Sequence, residues 1–495
     1  MSGMKINYDK SEMIPMNLED YEEKCMQETL GCPVGAFPIK YLGIPLHYEK
    51  LRREDVQPMI DKIVRRIAGW RGKLLSLAGR IVLIKTCLAS IPVYLMSFFK
   101  FPKWALDIIN SHMANCLWDD YEGHGKIHLV NWKLVNMCKE DGGLGIPDLK
   151  FFNLSLLGSW VKRYIVGDGK MWQEIIRQKY VRDATNIFSL PQSQMSPFWR
   201  GVMWAAQALK FGYRWVIGDG TKIRFWEDTW FGTAPMAVQF WELFCICNQT
   251  GVTVTDVWDG NEVKLTFRRN FSDMLLQKWY ELVEIVTEIR LGDEDDALVW
   301  QYESNGIYSS QSLYSVINCR GVKPVFIPAV WKVNTPPRVQ VFLWLMSHNK
   351  LMTTDNLLKR NIIKLLQCQF CGENESIRHL FFECVVAKAC WAYVKNFTGI
   401  SINCYTDLAS KWLNNSKFGL INSISAGVCR GIWLTRNRMI FQGQVWMDIK
   451  MVLTRCWKCM NLWKPMFMGA SSEGVGQWCS YLEEALRTPL AIMDR

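Results

Sequence analysis

Four residues of metal-binding type lie close together in the last third of the chain, in the pattern Cys368-x2-Cys371-x7-His379-x4-Cys384. A Cys-x2-Cys turn followed by a His and a further Cys can supply the four ligands of a tetrahedral zinc ion. Gly372 suits the tight turn of such a knuckle. The alternative is four ordinary core residues that meet by chance among 17 cysteines, but only six histidines are present, which favours zinc. A closed four-ligand site predicts a structural role for the metal.

The other cysteines indicate no disulfide framework. Their number is odd, they are scattered, and no basic-then-apolar leader precedes them, so we expect a reducing compartment, nucleus or cytoplasm, and no secretion. A second pair, Cys456-x2-Cys459, has no His after it and is not predicted to bind metal. The most apolar stretch, Leu74 to Phe99, is interrupted by Arg80 and Lys85, so no membrane span is expected.

Positive charge is concentrated near the start of the chain. Residues 51–110 hold eleven Lys and Arg against four acidic residues, and their apolar residues recur at three- and four-residue steps, as in amphipathic helices. The alternative is an ordinary solvated helix face. We expect this segment to contact nucleic-acid phosphates, through a set of six basic residues: Arg65, Arg66, Arg71, Lys73, Arg80 and Lys85.

The pattern elsewhere predicts a mainly α chain with small β elements, an α+β class. Helical periods run from Trp104 to Trp118 and from Phe151 to Tyr164. Two stretches predict β-hairpins, Trp215 to Trp226 around Gly-Asp-Gly and Ala297 to Ser309 around Asn305-Gly306. Helical signal returns from residue 310 onward.

No motif for nucleotide hydrolysis, metalloprotease or serine-hydrolase chemistry is present, and no small-molecule substrate is evident. Two acidic pairs, Asp119-Asp120 and Asp295-Asp296, could be mistaken for a two-metal carboxylate site. Both lie at turns, and we interpret them as solvated turn acids. We therefore predict no catalytic residues.

Several strings, in the same order, resemble the C-terminal part of a plant LINE-type (non-LTR) retrotransposon reverse transcriptase. FPIKYLGIPL resembles the strand and turn of the primer-grip region, and WRGKLLSLAGRIVLIKTCLASIPVYLMSFFKFP resembles the thumb. The stretch from GIYSSQSLYSVI to CQFCGENESIRHLFFECVVAKACW resembles the reverse-transcriptase zinc-binding domain, and IWLTRNRMIF a downstream segment. The zinc ligands of that domain fall on Cys368, Cys371, His379 and Cys384.

The resemblance implies five regions. They are a palm remnant (1–50), a basic helical thumb-like region (51–120), a connector with β-hairpins (121–306), a zinc-binding domain (307–395) that unfolds without its ligands, and a helical C-terminal region (396–495). The family's catalytic aspartates would lie upstream, so we expect no enzyme activity from these 495 residues alone. What would remain is zinc-dependent binding of RNA or an RNA–DNA hybrid.

Two alternatives stay open at the level of sequence. The chain could be part of an active RNA-directed DNA polymerase, completed by upstream sequence or in trans, and Mg²⁺ would be needed only with a complete palm. It could also be a relic without function, or a scaffold for protein interactions.

Overall fold

A computed structural model describes most of the chain and is mainly helical with few short strands, as predicted. The described residues are 7–8, 11–46, 49–69, 75–118, 127–167, 169–181, 187–189, 195–319, 321, 323–362 and 367–488. Within them, no helix is both long enough and apolar enough to cross a membrane.

The helices, in chain order, are α1 Asp20–Leu30, α2 Arg53–Gly69, α3 Leu77–Leu83, α4 Val93–Met96, α5 Lys103–Trp118, α6 Trp132–Asn136, α7 Leu149–Val166, α8 Met171–Ile176, α9 Pro197–Leu209, α10 Met236–Gln239, α11 Trp241–Ile246, α12 Val254–Val257, α13 Asp273–Thr287, α14 Ser310–Asn318, α15 Pro337–Ser347, α16 Thr354–Leu358, α17 Val385–Thr398, α18 Tyr405–Leu413, α19 Asn415–Gln442, α20 Lys450–Trp463 and α21 Ala470–Arg487. The strands are β1 Ile39–Tyr41, β2 Ile44–Leu46, β3 Tyr213–Val216 and β4 Ala297–Trp300. Three turns are π-helical: Ile84–Leu88, Arg177–Val181 and His379–Glu383.

The chain divides into two compact units, each assembled from separate stretches. The first unit comprises Met1–Val64, Ser90–Ile109 and Leu149–Ile317, and the second comprises Arg65–Ala89, Asn110–Asp148 and Asn318–Arg495. The five contiguous regions expected from the sequence stay a prediction.

In the first unit, one core forms around α7 and α9, where Leu157, Trp199 and Trp300 are fully buried. The buried side-chain amide of Asn153 holds the segment between α4 and α5 against this core. Asn153 donates to the carbonyls of Met96 and Phe99 at 2.7 and 2.9 Å, and its Oδ1 accepts from the Phe101 amide at 2.9 Å. These bonds satisfy backbone groups between α4 and α5 that helix geometry leaves without partners.

A short β1–β2 pair forms in the first unit within the string FPIKYLGIPL, and its assignment to a primer grip stays a prediction. The strands are antiparallel, with Tyr41 opposite Ile44. Leu42 and Gly43 have φ of 49° and 83°, and positive φ at both turn residues is typical of a two-residue hairpin loop.

The hairpin predicted at Trp215–Trp226 is wrong. The antiparallel partner of β3 is β4, with Tyr213 opposite Trp300 and Val216 opposite Ala297. The predicted Ala297–Ser309 hairpin is wrong for the same reason: its first strand forms, but it pairs with β3. Turn glycines indicate only where a chain bends, and the partner of a strand is decided by distant residues.

The carboxylate of Asp296 explains why the Gly-Asp-Gly segment does not close a hairpin. It accepts hydrogen bonds from the backbone amides of Gly218, Gly220 and Lys222 at 2.8, 2.9 and 2.9 Å, and the residue is 8% exposed. The loop therefore wraps around this side chain. Interpreting Asp295-Asp296 as two solvated acids was wrong for Asp296, whereas the Asp295 side chain is 81% exposed.

The second unit is dominated by α19, which has a kink at Phe418 and packs along α20. Glycine lets the two helices approach closely, since a Cβ on Gly431 would lie 2.5 Å from the Cys456 sulfur. Cys456 and Cys459 both lie within α20, a helix, and so are not on a knuckle turn like that of Cys368 and Cys371.

We predict that Asp296→Asn destabilises the first unit by about 2–3 kcal/mol, because one carboxylate oxygen becomes an NH₂ donor that faces amide donors. The measurement is urea denaturation. Asp295→Asn is the matched control and should change stability by less than about 0.5 kcal/mol. Equal effects of the two substitutions would contradict the role assigned to Asp296.

Candidate metal centre

The first two candidate ligands lie on a short hairpin-like loop of the second unit. Gln367 and Asn374 form an antiparallel bridge, and the Cys368 amide donates to the Glu373 carbonyl at 2.6 Å. The Gly372 amide donates to the Cys368 carbonyl at 2.9 Å, and Gly372 has a φ of +80°. The loop needs a residue that tolerates positive φ at this position, as the sequence predicted.

The other two candidate ligands flank one π-helical turn. His379 begins the turn, and the Cys384 amide closes it by donating to the His379 carbonyl at 2.8 Å. The indole of Trp391, on α17, donates to the Phe381 carbonyl at 2.7 Å and fastens the turn to that helix. A π-turn bonds groups that are five positions apart, and it therefore places His379 and Cys384 on one side of the chain.

The four ligand atoms converge on one point. All lie within 4.8 Å of one another, the Cys371 sulfur is 3.2 Å from His379 Nε2, and it is 3.8 Å from the Cys384 sulfur. Zn–S and Zn–N bonds of about 2.0–2.3 Å in a tetrahedron place ligand atoms roughly 3.3–3.8 Å apart. Three thiol groups and one imidazole form a donor set suited to zinc, and the longest separation, up to 4.8 Å, is somewhat above that of a bound tetrahedron.

Burial differs between the ligands and shapes their acidity. Cys368 and Cys384 are buried, at 3% and 1% exposed, whereas Cys371 and His379 are partly exposed. A hydrogen bond between Cys368 and Cys384 raises the pKa of the Cys368 thiol, with a further contribution from burial, and lowers the pKa of the Cys384 thiol. Amides at the start of α17 also lower the pKa of Cys384. Cys384 is therefore the thiol best prepared to become a thiolate.

A buried ion pair anchors the segment that connects the Cys368–Cys371 loop to the His379–Cys384 turn. Glu375, four residues after Cys371, accepts from Arg436 Nη2 at 2.6 Å and Nε at 3.1 Å, and the two side chains are 0% and 1% exposed. Arg436 lies in the middle of α19. The two parallel hydrogen bonds match the planar guanidinium to the carboxylate.

The same carboxylate also organises α16. Glu375 Oε1 accepts from the Thr354 amide at 2.8 Å, and the Glu375 carbonyl accepts from the Thr354 hydroxyl at 3.3 Å. A negative charge at a helix N-terminus is favourable. Glu375 thus links α16 and α19 to the candidate metal loop. The sequence pattern did not predict this pair; the available signal was an acidic residue between two pairs of candidate ligands.

Comparisons with known proteins agree with this geometry. Residues 308–391, which include all four candidate ligands, match the family described as zinc-binding in reverse transcriptase. An uncharacterized mitochondrial protein of Arabidopsis thaliana is 31% identical over 142 residues, which are 28% of this chain and 92% of that protein. The chain belongs to a family of plant retrotransposon reverse-transcriptase proteins. An Arabidopsis thaliana relative named "Putative ribonuclease H protein" is 28% identical over 365 residues, or 71% of this chain and 57% of that longer protein.

The six basic residues predicted to contact nucleic acid are only partly covered, since the structure describes four of them. Arg65 and Arg66 are exposed at the end of α2. Arg80 and Lys85 are partly buried, and burial lowers the pKa of Lys85. Arg71 and Lys73 lie outside the described residues, as does the Asp119-Asp120 pair. Arg65 and Arg66 are therefore the best-placed members of the set for phosphate contact, which stays a prediction.

We predict that Glu375→Gln or Arg436→Met destabilises the second unit by about 3–5 kcal/mol, because each leaves a buried group without its counter-charge. Thermal and urea unfolding would measure the loss. Lys359→Met is the control, since its ion pair with Asp355 is exposed and is worth less than about 0.5 kcal/mol.

The double variant Glu375→Gln/Arg436→Met separates pairing from simple loss of side chains. It should be less destabilised than the sum of the single variants, because neither charge is then left alone. Additive losses would show that the two side chains act independently.

Proposed function

We propose that the chain is a retrotransposon-derived reverse-transcriptase region that holds one structural zinc ion and binds RNA or an RNA–DNA hybrid. The observation that carries the proposal is the convergence of Cys368, Cys371, His379 and Cys384 within the matched zinc-binding region. The assignment to the LINE type, drawn from the resemblance, is part of this proposal.

Zinc in this site would act on the fold and leave substrate chemistry to other groups. All four tetrahedral positions are supplied by protein side chains, so no position is open for substrate or water. The ion would join the loop of Cys368 and Cys371 to the turn that precedes α17. Metal binding requires deprotonated thiols, so its free energy becomes available to folding only at a pH where the thiolates form.

Nucleic-acid binding is supported by charge and by the family match. Residues 51–110 carry a strong excess of Lys and Arg, and Arg65 and Arg66 are exposed to solvent. A stretch of the second unit from Cys429 to Lys464 holds seven Lys and Arg against Asp448. Contacts of this kind release counterions from phosphates and discriminate weakly between sequences.

A second candidate, a segment of a working RNA-directed DNA polymerase, is favoured by the β1–β2 hairpin. This hairpin forms at the string that resembles the primer grip, and the chain spans 57% of its longer relative. Joining the chain to the remaining length of such a relative and measuring Mg²⁺-dependent primer extension would test this. Extension that is unchanged when Leu42-Gly43 is replaced by two alanines would count against it.

We predict that the purified chain binds one Zn²⁺ and that Cys384→Ser loses it, with a fall in melting temperature. Zinc content measured by elemental analysis, and the thiolate absorption of a Co²⁺-substituted sample, would report the ligand set. Cys459→Ser is the control and should keep its metal, because this thiol lies on α20 away from the ligand cluster.

Affinity for zinc should fall as the pH is lowered, because protons compete for the three thiols and the imidazole. The stability supplied by the metal is therefore present at neutral pH and lost in acid. A Cys384→Ser chain with full zinc content and unchanged melting would refute the site.

We predict that binding to single-stranded RNA weakens steeply with salt and that Arg65→Gln/Arg66→Gln lowers the log–log slope by about 1.4, at roughly 0.7 per phosphate contact. Fluorescence anisotropy across a salt series would measure the slope. Arg177→Gln is the matched control, because it removes an exposed arginine that lies outside residues 51–110. Affinity of the wild-type chain that does not respond to salt would sink the proposed function.

A further inference from the structure

A pocket of about 410 Å³ lies within the second unit and is not explained by the candidate metal centre. It is bounded by α15 and α19 and by short segments around Ser76, Leu129 and Leu351. A volume of this size is in the range of small-molecule and cofactor pockets. Its lining combines two arginines with an otherwise largely apolar surface.

The two arginines, Arg338 on α15 and Arg430 on α19, face the pocket without acidic partners. Neither forms an ion pair with a carboxylate among the residues that the structure describes. The Arg430 guanidinium lies 5.1 Å from the Phe342 ring centroid. Burial lowers the pKa of Arg430, and the positive charge of Arg338 adds to that effect. Two like charges held beside one cavity are stabilised when an anion enters it.

Phosphate is the anion that this arrangement suits best. A guanidinium presents planar, paired donors that match phosphate oxygens, and arginine is less strongly hydrated than lysine. Two guanidiniums from different helices can contact one phosphate from two sides. A bound phosphate would therefore neutralise the positive charge of Arg338 and Arg430, which no described carboxylate pairs with.

The rest of the pocket suits a flat, apolar group attached to that phosphate. Phe342 and Trp433 both line it, with ring centroids 6.2 Å apart and planes at 38°. Further apolar contacts come from a set of aliphatic side chains: Leu77, Leu129, Val341, Leu345, Leu351 and Met352. Aromatic and aliphatic walls beside a cationic pair are typical of sites that take a base together with its phosphate.

Additional arginines continue from the pocket along the α19–α20 pair. The charges of Arg338, Arg430 and Arg455 all act on the Cys459 thiol, and the charge of Arg438 acts on Arg455. Arg455 Nε is buried and has no hydrogen-bond partner in the described part of the chain. Several positive charges close to the pocket favour a strand, which carries more than one phosphate, over a free nucleotide.

We propose that this pocket binds one unpaired nucleotide of an RNA strand, with its phosphate between Arg338 and Arg430 and its base against Phe342 and Trp433. The assignment rests on the proposed nucleic-acid function and names a specific site for it. Arg338 and Arg430 are the phosphate-binding residues.

The test is anisotropy of a fluorescently labelled single-stranded RNA with the full zinc-loaded chain. Arg338→Gln and Arg430→Gln should each weaken binding roughly tenfold, because each removes a charge-assisted hydrogen bond. Each should also lower the salt slope by about 0.7. Arg487→Gln, an exposed arginine at the end of α21, is the matched control and should change affinity less than twofold.

Folding is checked separately, because Arg430 packs on Phe342. Arg338 is exposed, so Arg338→Gln tests the site even if the Arg430 variant misfolds. Equal loss in all three variants would reduce the effect to bulk charge and overturn the proposal. Unchanged affinity in a folded Arg338→Gln chain would overturn it as well.

Adenosine 5′-monophosphate and inorganic phosphate distinguish the possible sources of the phosphate group. Under the proposal, the monophosphate competes with RNA at high concentration and inorganic phosphate competes less well. If the wild-type chain binds no RNA, the proposed function fails, and calorimetry with the monophosphate then decides the pocket alone. If the wild-type chain binds the monophosphate and Arg338→Gln abolishes that binding, the pocket is a nucleotide site. If the wild-type chain does not bind the monophosphate, the pocket proposal is overturned.

Discussion

The ion pair between Glu375 and Arg436 is the constraint on which the arrangement of the second unit depends. Both groups are excluded from water, so each stabilises the fold only while the other is in place. Because Glu375 also accepts a hydrogen bond from the Thr354 amide, the segment that follows the Cys368–Cys371 loop is tied to both α16 and α19. Breaking such a pair by removing one partner costs more than the pair contributes in net stability, because the remaining charge is left buried alone.

Features set by neighbouring residues were predictable from the sequence. The Cys and His spacing indicated a four-ligand cluster because all four residues lie on a loop and one adjoining turn. The apolar steps of α2 indicated its buried stripe, where Val56, Ile60 and Ile63 are buried. The turn at Leu42-Gly43 was expected only from the family resemblance, since Leu42 has a positive φ that turn preferences assign to Asn, Asp or Gly.

Features set by distant residues were not predictable. β3 pairs with a strand about eighty positions away, and Asp296 reaches back over 74 to 78 positions to the loop amides it accepts from. Glu375 and Arg436 are 61 positions apart. In the sequence, Asp296 resembles a solvated turn acid and Lys85 an exposed cation, since burial depends on which segments fold over a residue.

The discontinuous make-up of the two units determines the order in which they can be completed during synthesis. The first unit has all its parts once Ile317 has emerged, whereas Arg65–Ala89 and Asn110–Asp148 must wait for the last third of the chain. The apolar faces of those early segments therefore stay uncovered through much of translation, when aggregation is a hazard. A chain that ended near residue 320 would have one complete unit and two segments of the other without their packing partners.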